Sequence, residues 1–420
     1  MTDGTGWYGD AVAVTPVAAR RDSRILKQSS SLARAGFRSI LFEGQQSVPP
    51  IALPDVKIVA LSTASASQGA AHLSSGRGGL VAKFRKRVTG ADASWPEAWI
   101  GFAAYLLFFT MHFVVGGLRR LPPASLYYLS EFSFFPAVWI KSKWHGAAIA
   151  YDARDFYVGI EPHSSKTRFQ KLAVAFGRMV EKKCISQARV FTTVGEGIAT
   201  LFEQEYGRRP EVIYNAHDER IDQRSREALR TRLGLTADLP LAVIVGHAKP
   251  GQDISGTLGA LERLPTLHVA LIGTGYRAMM ASKRFSSHVA ARLHYVEDAA
   301  ATEIVPLIRD ADVALFIYYP RSENYKNALP NGFFQAVAAA LPLLHGGLPE
   351  MARVCREFNF GEAVQPDDVD GLTELLARVV SRSDWYEEQR RRSALAGRFL
   401  TWRQSEERLQ RLLIDCCRRE

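Results

Sequence analysis

"ADVALFIYY", residues 311–319, leads into "NALPNGFFQAVAAALPLLHGG", residues 327–347, and the join between them decides the fold. The first is a short apolar run of the kind that forms a buried strand. In the second, Pro330 ends a loop, Asn331 is placed to cap a helix, and Gly332 leaves the first turn open to close approach. The Ala- and Phe-rich helix stops at Pro342, and "LPLLHG" returns as a strand. Strand, loop, helix and strand make the repeating unit of a parallel α/β sheet. A helix start also carries unpaired N–H groups and partial positive charge, so it can hold a diphosphate. Gln335 lies one turn below Asn331 on the same face, within reach of a ribose hydroxyl. A plain capped core helix is the alternative for the same residues.

The same rhythm runs outward in both directions. "DAVAVTP", "FRSILFEG", "DVKIVAL", "SLYYLS", "GAAIAYD", "ARVFTTV" and "PEVIYN" read as strands of a first sheet. "DSRILKQSSSLARAG" and "EGIATLFEQEYG" read as helices between them. "DERIDQRSREALRTRLGL" is charged and helical in pattern, fitting a linker into a second domain. There "LAVIVG", "HVALIGTG", "LHYVE" and "DVALFIYY" are the strands. The tail from about residue 383 is basic, helical and amphipathic.

Two stretches break the rhythm. Residues 62–95 are small and polar, ending near the basic cluster "KFRKR", and read as a loop. "AWIGFAAYLLFFTMHFVVGGL", residues 98–118, has no formal charge and is followed by Arg119 and Arg120. It meets the rough ~20-residue length of a membrane span. Spanning would separate the first three strands from those that complete their sheet. The segment therefore reads as a buried or interface-lying helix.

Composition sets the bounds. The chain has 420 residues, enough for two domains, and its 47% hydrophobic and 23% charged residues suit a globular protein. A net charge of +10 suits an anionic partner such as a phosphate-bearing ligand or an acidic membrane surface, although solubility accounts for it equally well. Cys184, Cys355, Cys416 and Cys417 show neither CxxC pairing nor metal spacing, and "MTDGTGWYGD" lacks a basic-then-apolar leader pattern. A reduced, cytoplasmic protein is expected.

Several strand ends carry candidate chemistry. In "LIGTGYRA", Gly273, Gly275 and Ala278 satisfy GxGxxA, and Glu297 follows at the next strand end, formally a dinucleotide fingerprint. It sits on the second strand of its domain and opens a short helix, which favours a tight turn lining a ligand site over NAD chemistry. "VGHAKPGQD" puts His247 and Lys249 just past a strand end, where Lys249 can neutralise phosphate and His247 can donate a hydrogen bond. "YDARDFYVG" puts Asp152, Arg154 and Asp155 at another, able to grip sugar hydroxyls or position a nucleophile, with Asp152 and Arg154 the catalytic candidates, or simply to pair with one another. Arg20, Arg21 and Arg24 are further phosphate candidates.

Taken in order, "RDSRILKQSSSLARAGFRSILFEG", "AIAYDARDFY", "ARVFTTVGEGIATLFEQEYGRRPEVIYNA", "AVIVGHAKPGQD", "HVALIGTGY", "ALPNGFFQAVAAALP", "FGEAVQPDD" and "FLTWRQSEERLQRLL" resemble the motif series of the retaining GT-B glycosyltransferases of the family 4 (group 1) type. The resemblance implies two Rossmann-like domains facing each other across a cleft. Residues 1–218 would hold the acceptor, 219–398 the nucleotide sugar, and 399–420 a helix returning to the first domain. It implies sugar transfer from a nucleoside diphosphate to a glycan or lipid-linked acceptor, with retention and without cofactor or metal. Nucleic acid is not an expected partner. The apolar segment 98–118 and its basic flanks, and not the resemblance, suggest peripheral contact at the inner face of the cell membrane. By resemblance Gln335 stands where a ribose-binding glutamate belongs, Asn327 where an earlier acid does, and Arg154 where a histidine does. His247 takes the place of a phosphate-binding arginine and Gln252 that of its partner lysine. These replacements imply, as the alternative, a non-catalytic GT-B relative that binds nucleotide, glycan or a partner.

Overall fold

The computed structural model describes residues 8–61, 86–159, 166–222, 227–281, 283–297, 299–300 and 302–418. Most of the loop expected over 62–95, residues 62–85, lies outside them. The chain forms two compact units: Met1–Val194, Ile198–Ile213 and Glu406–Glu420 make the first, and Gly195–Gly197 with Tyr214–Ser405 the second.

In the first unit, β1 (Asp10–Thr15), β2 (Arg38–Glu43), β3 (Val56–Ala60), β4 (Leu126–Leu129), β5 (Ala148–Ala153), β6 (Val190–Thr193) and β7 (Glu211–Val212) form an all-parallel sheet. Their order is β3-β2-β1-β4-β5-β6-β7. β1, β4 and β5 read as near-continuous apolar runs because helices cover both faces of a parallel sheet. The helix Ser23–Arg34 starts at Asp22, whose carboxylate accepts from the Ile25 N–H at 3.1 Å.

In the second unit, β8 (Leu241–Val245), β9 (His268–Ile272), β10 (Leu293–Val296), β11 (Val313–Phe316), β12 (Leu343–His345) and β13 (Glu362–Ala363) are again parallel. They lie in the order β10-β9-β8-β11-β12-β13. Both orders reverse direction once, between β1 and β4 and between β8 and β11. Loops leaving the carboxyl ends of such a strand pair diverge and leave a crevice, where ligands of open α/β sheets bind.

The long charged helix expected after "PEVIYN" is much shorter than its pattern. The described residues there hold a 3₁₀ turn at Glu219–Ile221 and one helix, Leu229–Leu233, which ends at Gly234 in the left-handed region with φ +67°. Arg230 shows why: it is nearly buried and bonds the Asp310 and Leu239 carbonyls and the Asp312 carboxylate, so it belongs to the second unit's interior.

The apolar segment is one helical stretch, Trp95–Arg120, with a wider π-type turn over Thr110–Val115. Ser94 and Glu97 close its start reciprocally, and Pro96 sits in its first turn. Its inner side packs on the helix Arg168–Gln187, with the Phe109 and Phe176 rings 5.1 Å apart, and on Phe134, 5.0 Å from Phe113.

Candidate functional site

In the second unit the helix Asn331–Ala338 begins against the end of β8. A Cβ on Gly332 would lie 2.3 Å from the Val245 carbonyl oxygen, so only glycine lets the helix start this close to the strand. Gly332 is buried, and its openness serves the packing of helix on strand. The expected cap at Asn331 is corrected: Pro330 holds the cap position and no side chain caps the helix. Asn331 stands inside the first turn, where its Oδ1 accepts from Asn215 Nδ2 at 2.6 Å. Gln335 is half-buried one turn on, its side-chain amide without a partner among the described residues.

The loops after β8 and β11 are stitched together beside this helix start. Asp253 N donates to the Ile317 carbonyl at 2.9 Å and Tyr319 N to the Gly251 carbonyl at 2.8 Å. Lys249 and Arg321 are both exposed on the joined loops, and neither charged end has a partner among the described residues. Arg321 crosses Gly251 (φ +98°), with its Cδ 2.8 Å from where a Cβ would be. Sequence reading missed Arg321, because its place across Gly251, two residues along from Lys249, comes from the pairing of two loops some 70 residues apart.

His247 is exposed, and its Nδ1 faces Thr274 Oγ1 at 2.8 Å and the Thr274 N–H at 3.3 Å. Thr274 can donate from both groups, which places the proton of a neutral His247 on Nε2 as an outward donor. Gln252 does not replace a cation. Its Nε2 donates to the Tyr276 hydroxyl at 3.0 Å and its Oε1 accepts from the Lys249 N–H at 3.0 Å, which fixes the loop instead. Gly273 (φ +132°) presses on the Gly246 carbonyl. Gly275 (φ +90°) starts a helix of only Tyr276–Met280. Glu297 turns back on that loop, accepting from the Gly275 N–H and pairing with Arg277 at 3.3 Å. Asn327 Nδ2 donates to the Glu323 carbonyl at 2.8 Å, and its Oδ1 fills the space beside Gly197.

The first unit's crevice gathers a different set. Arg24, a phosphate candidate, and Asp152, a candidate for orienting sugar, are both corrected: they are buried together as a bidentate pair with two 2.7 Å bonds. Asp152 also accepts from Gln28 Nε2 at 2.9 Å and Thr192 Oγ1 at 2.7 Å, so no lone pair is left for a ligand. Burial alone would raise its pKa. The Arg24 guanidinium, with the Gln28 and Thr192 donors, outweighs that and holds the carboxyl below its usual range. Arg154 pairs across with Asp22 at 2.6 Å and keeps about a quarter of its side chain exposed. Arg20 is exposed and bonds the Val48 carbonyl, with Arg21 beside it. Sequence reading also missed Glu131, just past the end of β4, whose carboxyl burial pushes above its usual pKa while the Ser133 hydroxyl partly restores it. Among the described residues no three His, Cys, Asp or Glu gather as a metal site.

No protein-family model matches this chain, and no curated protein does. Solved structures do. Sucrose-phosphate synthase from Thermosynechococcus elongatus is similar at 12% identity and TM-score 0.64, over 97% of this chain and 98% of that one. HepE of Anabaena in complex with UDP is similar at 12% identity and TM-score 0.62, over 97% and 100%. The fold is GT-B. WaaG, a glycosyltransferase involved in lipopolysaccharide biosynthesis, shares it at 12% identity and TM-score 0.58, over 95% and 98%. In the GT-B frame, β8 to β13 and the helix at Asn331 form one Rossmann-like unit and β1 to β7 the other.

Proposed function

We propose that the chain is a glycosyltransferase that takes a sugar from a nucleoside diphosphate, with retention and without an obligatory metal or other cofactor. The observation that carries this reading is the helix start at Asn331, wedged onto the end of β8 by Gly332, with two unpaired cations on the adjoining loops. A diphosphate leaving group gathers negative charge as the glycosidic bond breaks, and that change is stabilised by fixed positive charge aimed at it. The helix dipole, Lys249, Arg321 and the Nε2 donor of His247 supply it from fixed positions. Gln335 takes the ribose. The first unit receives a glycan or lipid-linked acceptor near Glu131 and Arg154, which Asp22 and the buried Arg24–Asp152 pair hold in place. Solved relatives of this fold include HepE in complex with UDP-glucose, which supports a nucleotide-sugar donor. The protein works in the cytoplasm.

Gln252 favours a second reading. Its amide is clasped by tyrosine hydroxyls where the resemblance implies a lysine, so the site holds less charge and could bind a nucleotide without transfer. A thermal-shift titration with UDP, GDP, ADP and NAD, chelator present, tests the first reading. Ligand at roughly 100-fold over its Kd adds about 2.7 kcal/mol of stability. A shift with one nucleoside diphosphate and none with NAD is expected. No shift with any diphosphate would overturn the donor site, and binding with no turnover of any sugar donor would leave the second reading.

A further inference from the structure

The helical stretch Trp95–Arg120 presents an outer face as apolar as its inner one. Trp99, Ile100, Leu107, Phe108 and Met111 are each more than half exposed, at 54, 54, 66, 57 and 56%. At 100° per residue these positions, with Ala103 and Ala104 between them, cover about half the circumference of the helix. No charge interrupts that face among the described residues. A patch of this kind on a globular unit marks an interaction surface.

We propose that this face docks the protein on an anionic lipid bilayer, with the helix lying in the plane of the interface. Crossing is ruled out by the inner side. Phe102, Tyr105 and Phe109 interlock with Phe169 and Phe176, and a Cβ on Gly101 would meet Val88 at 3.0 Å. A helix fixed to its own unit along one side cannot be ringed by lipid tails, but it can sink its free side roughly 5–10 Å into a headgroup layer.

Charge selects the lipid. Glu97 and Glu181 are the only acids in this helix and in the two packed on it, Phe135–His145 and Arg168–Gln187. Glu97 closes its own helix and Glu181 is buried. Against them stand Arg119, Arg120, Lys143, Lys182 and Lys183, all exposed. Exposed Trp95, Trp99 and Trp144 add the aromatic side chains that favour a membrane–water boundary. A second copy of this chain would bring the same basic residues against themselves, whereas anionic headgroups complement them. The inference stands independently of the donor site, since docking needs no nucleotide.

The test is flotation of the full chain with phosphatidylcholine vesicles and with vesicles also containing phosphatidylglycerol. Binding to the anionic vesicles only, weakened by salt, is expected. Leu107→Glu with Phe108→Glu should weaken it about tenfold or more, and Arg119→Ala or Arg120→Ala about fivefold each. All four side chains are exposed, so unchanged melting should accompany the loss. Brominated lipid should quench tryptophan emission less in Trp99→Phe than in the parent. Absence of binding at low salt, equal binding by the double glutamate variant, or a stable dimer whose interface persists on vesicles would each overturn the proposal.

Discussion

Lys249 and Arg321 are the side chains on which the donor reading is most exposed to test. Each hydrogen bond to a charged group contributes about 1.5–3 kcal/mol when well shielded, and less where water competes. Lys249→Ala and Arg321→Ala should therefore each weaken nucleoside-diphosphate binding about tenfold by calorimetry while leaving the melting temperature unchanged. Arg277→Ala is the control. Its guanidinium is already paired with Glu297 and lies 4.8 Å over the Tyr295 ring, so its loss should leave affinity within about twofold. An equal loss in all three would mean that bulk charge, and not these positions, attracts the ligand. Lys249 was legible in the sequence because it follows a strand end in a Pro-Gly turn. Arg321 and Glu131 were not, since each matters through a neighbour brought close by sheet order. The same holds for Asp152, which reads locally as a strand-end carboxylate and is neutralised by Arg24, 128 residues away.

At the scale of elements, apolar runs and Gly or Pro punctuation predicted most strands, because a parallel sheet buries both faces and leaves little else in its strands. β13, only Glu362–Ala363, was invisible for lack of any such run. The charged stretch after β7 misled because Arg230 is drawn inside by Asp312, which no helical period reveals. The Asn331 helix was placed correctly and its first turn was not. Proline took the cap position, and glycine was required by the strand beneath. Gly332→Ala tests this. The added methyl meets backbone, which yields less readily than a side-chain end, and overpacking of that kind costs about 1–3 kcal/mol. A fall in melting temperature together with weaker diphosphate binding is expected, because relief requires the helix start to move off β8. A stable variant with intact binding would show that the wedge does not set the site.

For the molecule as a whole, stability should carry a pH signature from Glu181. Its carboxylate is 1% exposed in the first unit and accepts from the Tyr151 and Tyr206 hydroxyls, each at 2.6 Å. Burial pushes its pKa up to about 7 from the ordinary 4.5, and the two hydroxyls only partly counter this. The folded chain thus holds the proton more tightly than the unfolded chain. This group's contribution to stability is fully present below the unfolded value and is lost as pH rises through the folded one. The window runs from about 4.5 to about 7 and amounts to about 3 kcal/mol. Glu181→Gln keeps the shape and stays neutral throughout. Its unfolding free energy should therefore vary less across that window than the parent's, and the variant should gain most on the parent above about pH 7. Parallel profiles for the two proteins, measured by urea unfolding at several pH values, would mean that Glu181 stays ionised in the folded state. The tyrosine hydroxyls would then have to stabilise the charge as much as burial opposes it.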